Sequence, residues 1–93
     1  MVKHFDIKAR GQVQGVLFRG SACKKAQELG LVGFVRNEPD GSIYIEAEGE
    51  EESLREFARW CSDGPPPARV EELGVEEDSQ LRNFRGFRVV DNR

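Results

Sequence analysis

A glycine-bearing turn between a strand-like run and a helix-like run constrains this chain more than any other feature. Residues 11–19 read Gly-Gln-Val-Gln-Gly-Val-Leu-Phe-Arg and place Arg19 where the helix should begin. A turn that enters a helix N-terminus presents backbone N–H groups without intrahelical partners, and the helix dipole favours anions there. An arginine adds a planar set of donors that matches phosphate oxygens. The stretch predicts an anion-binding loop, although glycine-rich turns alone are only moderately specific.

The residues on either side of this turn show two different periodicities. Phe5, Ile7 and Ala9 alternate with polar residues, which indicates a half-buried strand. His4 falls on the polar side of that strand, so we expect a solvated residue and not a catalyst. After the turn, apolar residues recur at helical spacing until Gly30, which is typical of a helix C-terminus.

The rest of the chain predicts a hairpin, a second helix and two further strands. Residues 31–49 alternate on both sides of a Glu-Pro-Asp-Gly turn and indicate the hairpin. The second helix follows and ends at a Gly-Pro-Pro-Pro run. The next strand is expected to be irregular near Gly74, and the apolar residues Phe84, Phe87 and Val89 suggest a short last strand.

This order of elements favours an α+β fold, a ferredoxin-like α/β sandwich. We expect a βαββαβ antiparallel sheet with two helices on one face, a short C-terminal strand, and a single domain over residues 1–93. The first two strands should run in the same direction in such a unit. The glycine turn, Arg19 and Asn37 are therefore expected to converge at one edge of the sheet.

The charge distribution favours a small anionic ligand over an extended one. Residues 1–36 carry seven Lys/Arg and two acidic residues, whereas residues 37–93 carry seven Lys/Arg and fifteen acidic residues. A nucleic-acid surface would need a continuous basic face, so we expect no nucleic-acid partner. No apolar run is long enough to cross a membrane, and no Cys/His cluster has zinc-ligand spacing. We therefore expect a cytoplasmic protein without membrane association or metal.

Two motifs together resemble the acylphosphatase family. The family pattern G-x-V-Q-G-V-x-F-R matches Gly11 to Arg19 without a mismatch. A second pattern, G-[FYW]-V-x-N-x-x-x-G followed by a strand and a glycine, is matched by Gly33, Phe34, Val35, Asn37, Gly41 and Gly49. The resemblance covers nearly the whole chain. One departure is Ala22, where the family commonly has a threonine, and its missing hydroxyl is expected to lower the rate without abolishing activity.

The resemblance implies hydrolysis of a small-molecule acyl phosphate to a carboxylate and inorganic phosphate, with no cofactor. Arg19 would bind the phosphate, and Asn37 would orient the attacking water. The expected backbone cradle comprises Gly15, Val16, Leu17, Phe18 and Arg19. An alternative for Asn37 is a simple role in entering the turn, where asparagine is common.

Two other functions compete with hydrolysis. One is an acylphosphatase-like module that binds an anion or a partner protein without turnover, as occurs within larger hydrogenase-maturation proteins; the length of the chain argues against it. The other is single-stranded RNA binding, which needs exposed aromatic residues on the central strands. Tyr44 among carboxylates is a poor stacking platform. A chain of this size is expected to act as a monomer.

The two cysteines, Cys23 and Cys61, are expected to be reduced core residues. The predicted topology nevertheless places them at similar height on neighbouring helices. A bridge between them is a hypothesis that requires Cα atoms within about 7 Å.

Overall fold

The computed structural model describes residues 1–90. The chain forms seven elements in the order β1 (Val2–Gln12), α1 (Phe18–Glu28), β2 (Val32–Asn37), β3 (Ile43–Glu50), α2 (Glu51–Asp63), β4 (Arg69–Asp78) and β5 (Phe87–Val89). This βαββαβ order, with its short last strand, confirms the ferredoxin-like prediction. Within the described range, neither helix is long and apolar enough to cross a membrane.

The five strands form one mixed sheet in the order β4-β1-β3-β2-β5. β1 pairs antiparallel with β3 and β4, and β2 pairs antiparallel with β3. β5 joins the edge of β2 in parallel, so the sheet is not antiparallel throughout. Because β1 and β2 are both antiparallel to β3, they run in the same direction. Their C-terminal ends therefore lie at one edge of the sheet.

One face of the sheet carries the hydrophobic core. The strand residues that alternate inward are fully buried together with residues of both helices: Phe5, Ile7, Ala9, Val35, Ile43, Ile45 and Ala47 from the sheet, and Phe18, Ala22, Ala26, Leu54, Phe57 and Cys61 from the helices. Period-two burial in the strands and helical spacing in α1 and α2 explain why these residues share one core.

The predicted C-terminus of α1 and the predicted hairpin turn are confirmed. Gly30 has a φ of 74°, and the Leu31 N–H donates to the Ala26 carbonyl at 2.9 Å, which closes the helix as a left-handed cap. In the hairpin turn, the Gly41 N–H donates to the Glu38 carbonyl at 3.1 Å. Asp40 accepts from the Ser42 N–H, which fixes the turn that follows β2.

The irregularity expected in β4 is present, but it lies at Glu71 and not at Gly74 itself. Gly74 pairs in register with Lys8, and Glu71 is left without a partner where the register shifts between Arg10 and Gly11. Gly11 has a φ of 130°, and a Cβ there would lie 2.2 Å from the Arg69 carbonyl oxygen. The close approach of β4 to a glycine in β1 therefore decides where the ladder is interrupted.

The expectation that His4 is solvated is also wrong, because its side chain is fully buried. Nδ1 of its ring lies 2.7 Å from a Glu48 carboxylate oxygen, and Nε2 lies 2.7 Å from an Asp6 carboxylate oxygen. Phe84 stacks on the ring at a centroid distance of 6.1 Å. The segment before β5 covers His4 on the face of the sheet opposite the helices. Strand periodicity cannot reveal that a distant segment covers this face.

Glu48 connects this cover to the sheet. Its carboxylate accepts the backbone N–H groups of Arg82 and Asn83 as well as the contact with His4. Burial by itself would raise the pKa of Glu48, but these donors outweigh burial and hold its pKa below the usual value. The buried carboxylate is thereby kept in its charged form.

Candidate active site

The loop after β1 turns its backbone in two left-handed steps. Gly15 has a φ of 73° and Leu17 has a φ of 66°, whereas Val16 between them is not in this region. Alternation of this kind directs successive backbone N–H groups toward one side, which forms an anion-binding concavity. A non-glycine residue in this conformation costs on the order of 1–3 kcal/mol and is held only by its surroundings. The sequence did not predict this state for Leu17.

The first turn of α1 adds further donors to the loop. The Leu17 carbonyl accepts the N–H of Ser21 at 3.1 Å, so the N–H groups of the residues between them have no partner inside the helix. Among the described residues, no side chain caps this helix start, and its first turn has no acidic residue. The positive end of the helix dipole is therefore directed at the loop, and the described first turn itself places no acidic side chain against it.

Phe18 anchors the start of α1 in the core. Its side chain is 1% exposed and meets Trp60 edge-on at a centroid distance of 5.7 Å. Gly64, at the end of α2, lies so close that a Cβ there would be 2.9 Å from the Phe18 ring. This packing fixes the helix start and places the half-buried side chain of Arg19 beside the loop.

Gln14 ties the loop to the β2–β3 hairpin. Its side-chain amide donates to the carbonyl oxygens of Glu38 and Ser42, at 2.8 and 2.9 Å. These carbonyls stand at the two ends of the hairpin turn: Glu38 directly follows Asn37 at the end of β2, and Ser42 directly precedes β3. One amide group thus sets the position of the loop relative to the end of β2.

An open cavity of about 620 Å³ lies at this edge of the sheet. Its lining combines predicted and unpredicted residues: Val13, Gly15, Leu17, Phe18, Arg19, Gly20, Ser21, Lys24, Asn37 and Val89. Arg19 and Asn37, eighteen positions apart in the sequence, line the same cavity as expected. The amide oxygen of Asn37 is buried.

Several residues of the cavity differ from expectation. Val16, predicted to contribute its backbone N–H to the cradle, is not in the lining; its half-buried side chain packs against the core, which does not test the backbone role. Lys24 and Ser21 line the cavity but were not predicted, although both lie within two helical turns of Arg19. Ala22 is fully buried in the core and does not line the cavity.

The charge of the cavity has one sign. Of the described residues that line it, Arg19 and Lys24 are the ones with ionisable side chains, and both are cations. Together with the backbone N–H groups, they form a site suited to a phosphate. The described lining supplies no carboxylate, imidazole or thiol for acid–base or nucleophilic chemistry.

One group of side chains at the other end of β1 has spacing compatible with a metal. His4, Asp6 and Glu46 bring one ligand atom each within 4.8 Å of one another. The His4 ring is already bonded to Asp6 and Glu48 and is covered by Phe84. Hydrogen bonding within the network accounts for the short distances.

Both cysteine thiols are free. Cys61 is buried in the core and Cys23 is half-buried, and burial raises the pKa of each thiol above its usual value. Thiols of raised pKa form little thiolate, so these groups are poor nucleophiles. The hypothesis of a bridge between them stays a prediction.

The comparisons with known proteins agree on one family. A family model described as Acylphosphatase matches residues 5–89. A curated acylphosphatase of Methylococcus capsulatus is 46% identical over 89 residues, covering 96% of this chain and 97% of the relative. The crystal structure of acylphosphatase from Bacillus subtilis superposes with a TM-score of 0.92 at 34% identity, covering 97% of this chain and 99% of the other. An acylphosphatase structure from Coxiella burnetii gives 0.91 at 37% identity, covering 96% and 93%.

Proposed function

The chain belongs to the acylphosphatase family and is a hydrolase of that family, and from this premise we propose that Arg19 and Asn37 perform the hydrolysis of an acyl phosphate. The reaction cleaves the carboxyl–phosphate bond and yields a carboxylate and inorganic phosphate. The observation that carries the proposal is the cavity itself, whose described ionisable groups are the cations Arg19 and Lys24. Such a site binds phosphate but can cleave only a bond whose leaving group departs without protonation.

Arg19 and the loop backbone bind the transferred phosphoryl group. The guanidinium is positively charged at physiological pH and can donate two parallel hydrogen bonds to phosphate oxygens. The N–H groups from Gly15 through Arg19, Val16 included, surround the remaining oxygens. The left-handed turns at Gly15 and Leu17 support this arrangement. Transfer of a phosphoryl group depends mainly on positioning and charge stabilisation, which these groups provide.

Asn37 orients the attacking water. An amide can both donate and accept a hydrogen bond, so it can hold water in line with the bond that breaks. It cannot act as a general base, and the substrate phosphate itself accepts the proton of the water. The position of Asn37 in the same cavity as Arg19 supports this role.

The leaving group needs no help from the protein. A carboxylic acid has a pKa of roughly 4, close to that of an Asp or Glu side chain, so the carboxylate departs unprotonated. An alcohol is a far weaker acid and would need a general acid. We therefore propose specificity for acyl phosphates over phosphate esters of alcohols, without metal or cofactor.

Phosphate release from acetyl phosphate and glycerol phosphate, each with EDTA, tests this function. Acetyl phosphate should be hydrolysed at the same rate with and without the chelator, and glycerol phosphate should not be hydrolysed. Phosphate binding without turnover of acetyl phosphate would instead identify an anion-binding module. A rate that falls in EDTA and recovers with added metal would contradict the metal-free mechanism.

The Gln14 contact predicts a separate effect on the rate. Gln14→Met removes both donors at similar side-chain length, so the hairpin end that carries Asn37 can shift relative to the loop. Misplacement of about 1 Å can cost up to roughly a hundredfold in rate, and we expect kcat to fall about tenfold. Steady-state kinetics with acetyl phosphate measure this change in kcat.

Gln27→Met is the matched control for Gln14. The Gln27 amide also donates to a backbone carbonyl, that of Phe87 at 3.1 Å, but Gln27 lies outside the described cavity lining. Both variants should lose about 1 kcal/mol of stability in urea denaturation, since each loses hydrogen bonds to backbone carbonyls. An equal effect of both variants on kcat would contradict a positioning role for Gln14.

We further propose that residues 1–93 act as one monomeric domain in the cytoplasm. The small size of the chain and its free thiols support this, because reduced cysteines are typical of that compartment.

A further inference from the structure

Exposed apolar side chains occur at few places in the described part of the chain. Large apolar residues with substantial exposure are Met1, Val2, Leu17, Val75 and Val89. Leu17 and Val89 both line the cavity that holds Arg19, and their exposures are 77% and 41%. The anion-binding site therefore has an apolar rim.

This rim has no part in binding phosphate. Phosphate oxygens need donors and positive charge, which the backbone N–H groups, Arg19 and Lys24 supply. Leu17 contributes its backbone to the loop, whereas its side chain extends into solvent at the cavity. Apolar surface left in water is unfavourable, and covering it with an apolar group is favourable in proportion to the area.

We propose that Leu17 and Val89 form the contact site for the acyl group of the substrate, and that the enzyme prefers acyl phosphates with an apolar acyl group. The inference rests on the proposed function, because it assumes that the phosphate occupies the loop. The acyl carbon is then separated from the phosphorus by one bridging oxygen. The rest of the acyl group must extend from the loop toward the open side of the cavity. An aromatic or branched aliphatic acyl group meets the exposed rim there.

A negatively charged acyl group would be expected to lie in a second, smaller cavity and not at the apolar rim. A smaller cavity of about 310 Å³ shares Ser21 and Lys24 with the first and is lined further by Lys25, Glu28, Trp60, Gly64, Pro65 and Pro66. Its lysines would suit an acyl group with a second carboxylate. A preference for such substrates would place the acyl group there and overturn the assignment to the rim.

The test compares kcat/KM for benzoyl phosphate, acetyl phosphate and succinyl phosphate in the parent and in rim variants. We expect the parent to favour benzoyl phosphate over both others. In Leu17→Ala the ratio of benzoyl to acetyl phosphate should fall about tenfold, since most of one leucine side chain's contact is lost. Leu17→Asn, which tolerates the left-handed backbone better, should show the same fall if the alanine variant folds poorly.

Two valines of equal exposure provide the matched control. Val89 and Val75 are each 41% exposed, but Val75 lies on β4 outside the cavity lining. Val89→Ala should lower the ratio of kcat/KM for benzoyl phosphate to that for acetyl phosphate about threefold, because valine offers a smaller contact area than leucine. Val75→Ala should leave this ratio unchanged. Inhibition by inorganic phosphate reports separately whether the loop is intact.

The outcomes separate this inference from the proposed function. A parent that hydrolyses all three substrates without preference, or rim variants with unchanged ratios, would overturn the inference alone. Equal loss of activity on every substrate, with weaker inhibition by phosphate, would show damage to the loop and no acyl contact. A parent that hydrolyses none of them would overturn both.

Discussion

Replacement of Arg19 by alanine is expected to lower kcat/KM for acyl phosphates about a thousandfold or more. Loss of a single preorganised donor to a developing anion typically costs about 10²–10³ in rate, and Arg19 supplies two donors and a full charge. The half-buried side chain lies at the first turn of α1, beside backbone N–H groups without intrahelical partners. Phosphate-release kinetics on protein whose fold is checked by circular dichroism measure the effect.

Two further variants sharpen the test of Arg19. Arg19→Lys keeps the charge but loses the planar pair of donors, so its activity should lie between those of the parent and Arg19→Ala. Arg55→Ala is the matched control, because Arg55 is 58% exposed near the start of α2 and pairs with Glu51. Its kcat/KM should match that of the parent. Full activity in folded Arg19→Ala would refute the phosphate-binding role.

Replacement of Asn37 by alanine should reduce kcat about a hundredfold or more while phosphate binding persists. Orientation of a reactant contributes several kcal/mol to catalysis, and removal of the amide would release the water that we propose Asn37 holds in line. The loop and Arg19 remain, so the inhibition constant of inorganic phosphate should change less than twofold. A fall in kcat without a matching loss of phosphate affinity separates this role from that of Arg19.

Asn37→Asp and Gln80→Ala complete this series. The aspartate has nearly the shape of the asparagine but carries a negative charge toward the phosphate, so both kcat and phosphate affinity should fall. Gln80 is an exposed amide that follows β4, and its loss should change neither quantity. Equal kcat in Asn37→Ala and the parent would leave Asn37 as a turn-entry residue.

The secondary-structure elements around the site and their order were largely predictable, because they depend on interactions between residues close in the sequence. Alternation in β1, helical spacing after Gly15 and the hairpin turn give the order of elements. The direction of β1 and β2 then brings Arg19 and Asn37 to one edge. Sequence patterns capture this, since period and turn chemistry act over a few residues.

Three features of the structure could not be obtained in this way. Leucine rarely adopts the left-handed conformation, so nothing in the local sequence predicts it for Leu17. The burial of His4 depends on a segment some eighty residues later in the chain. The two hydrogen bonds of Gln14 join parts of the chain more than twenty residues apart.

The sequence by itself determined the family, the fold and the identity of the two proposed catalytic residues, because the glycine turn, Arg19 and Asn37 stand in continuous motifs whose spacing reflects local backbone geometry. Only the tertiary structure decided what surrounds them. The core contact of Phe18 fixes the start of α1, Gln14 sets the distance between loop and hairpin, and the exposed rim of Leu17 and Val89 appears only once β5 lies beside β2. Burial and side-chain hydrogen bonds join residues distant in sequence, and no local pattern encodes which of them meet.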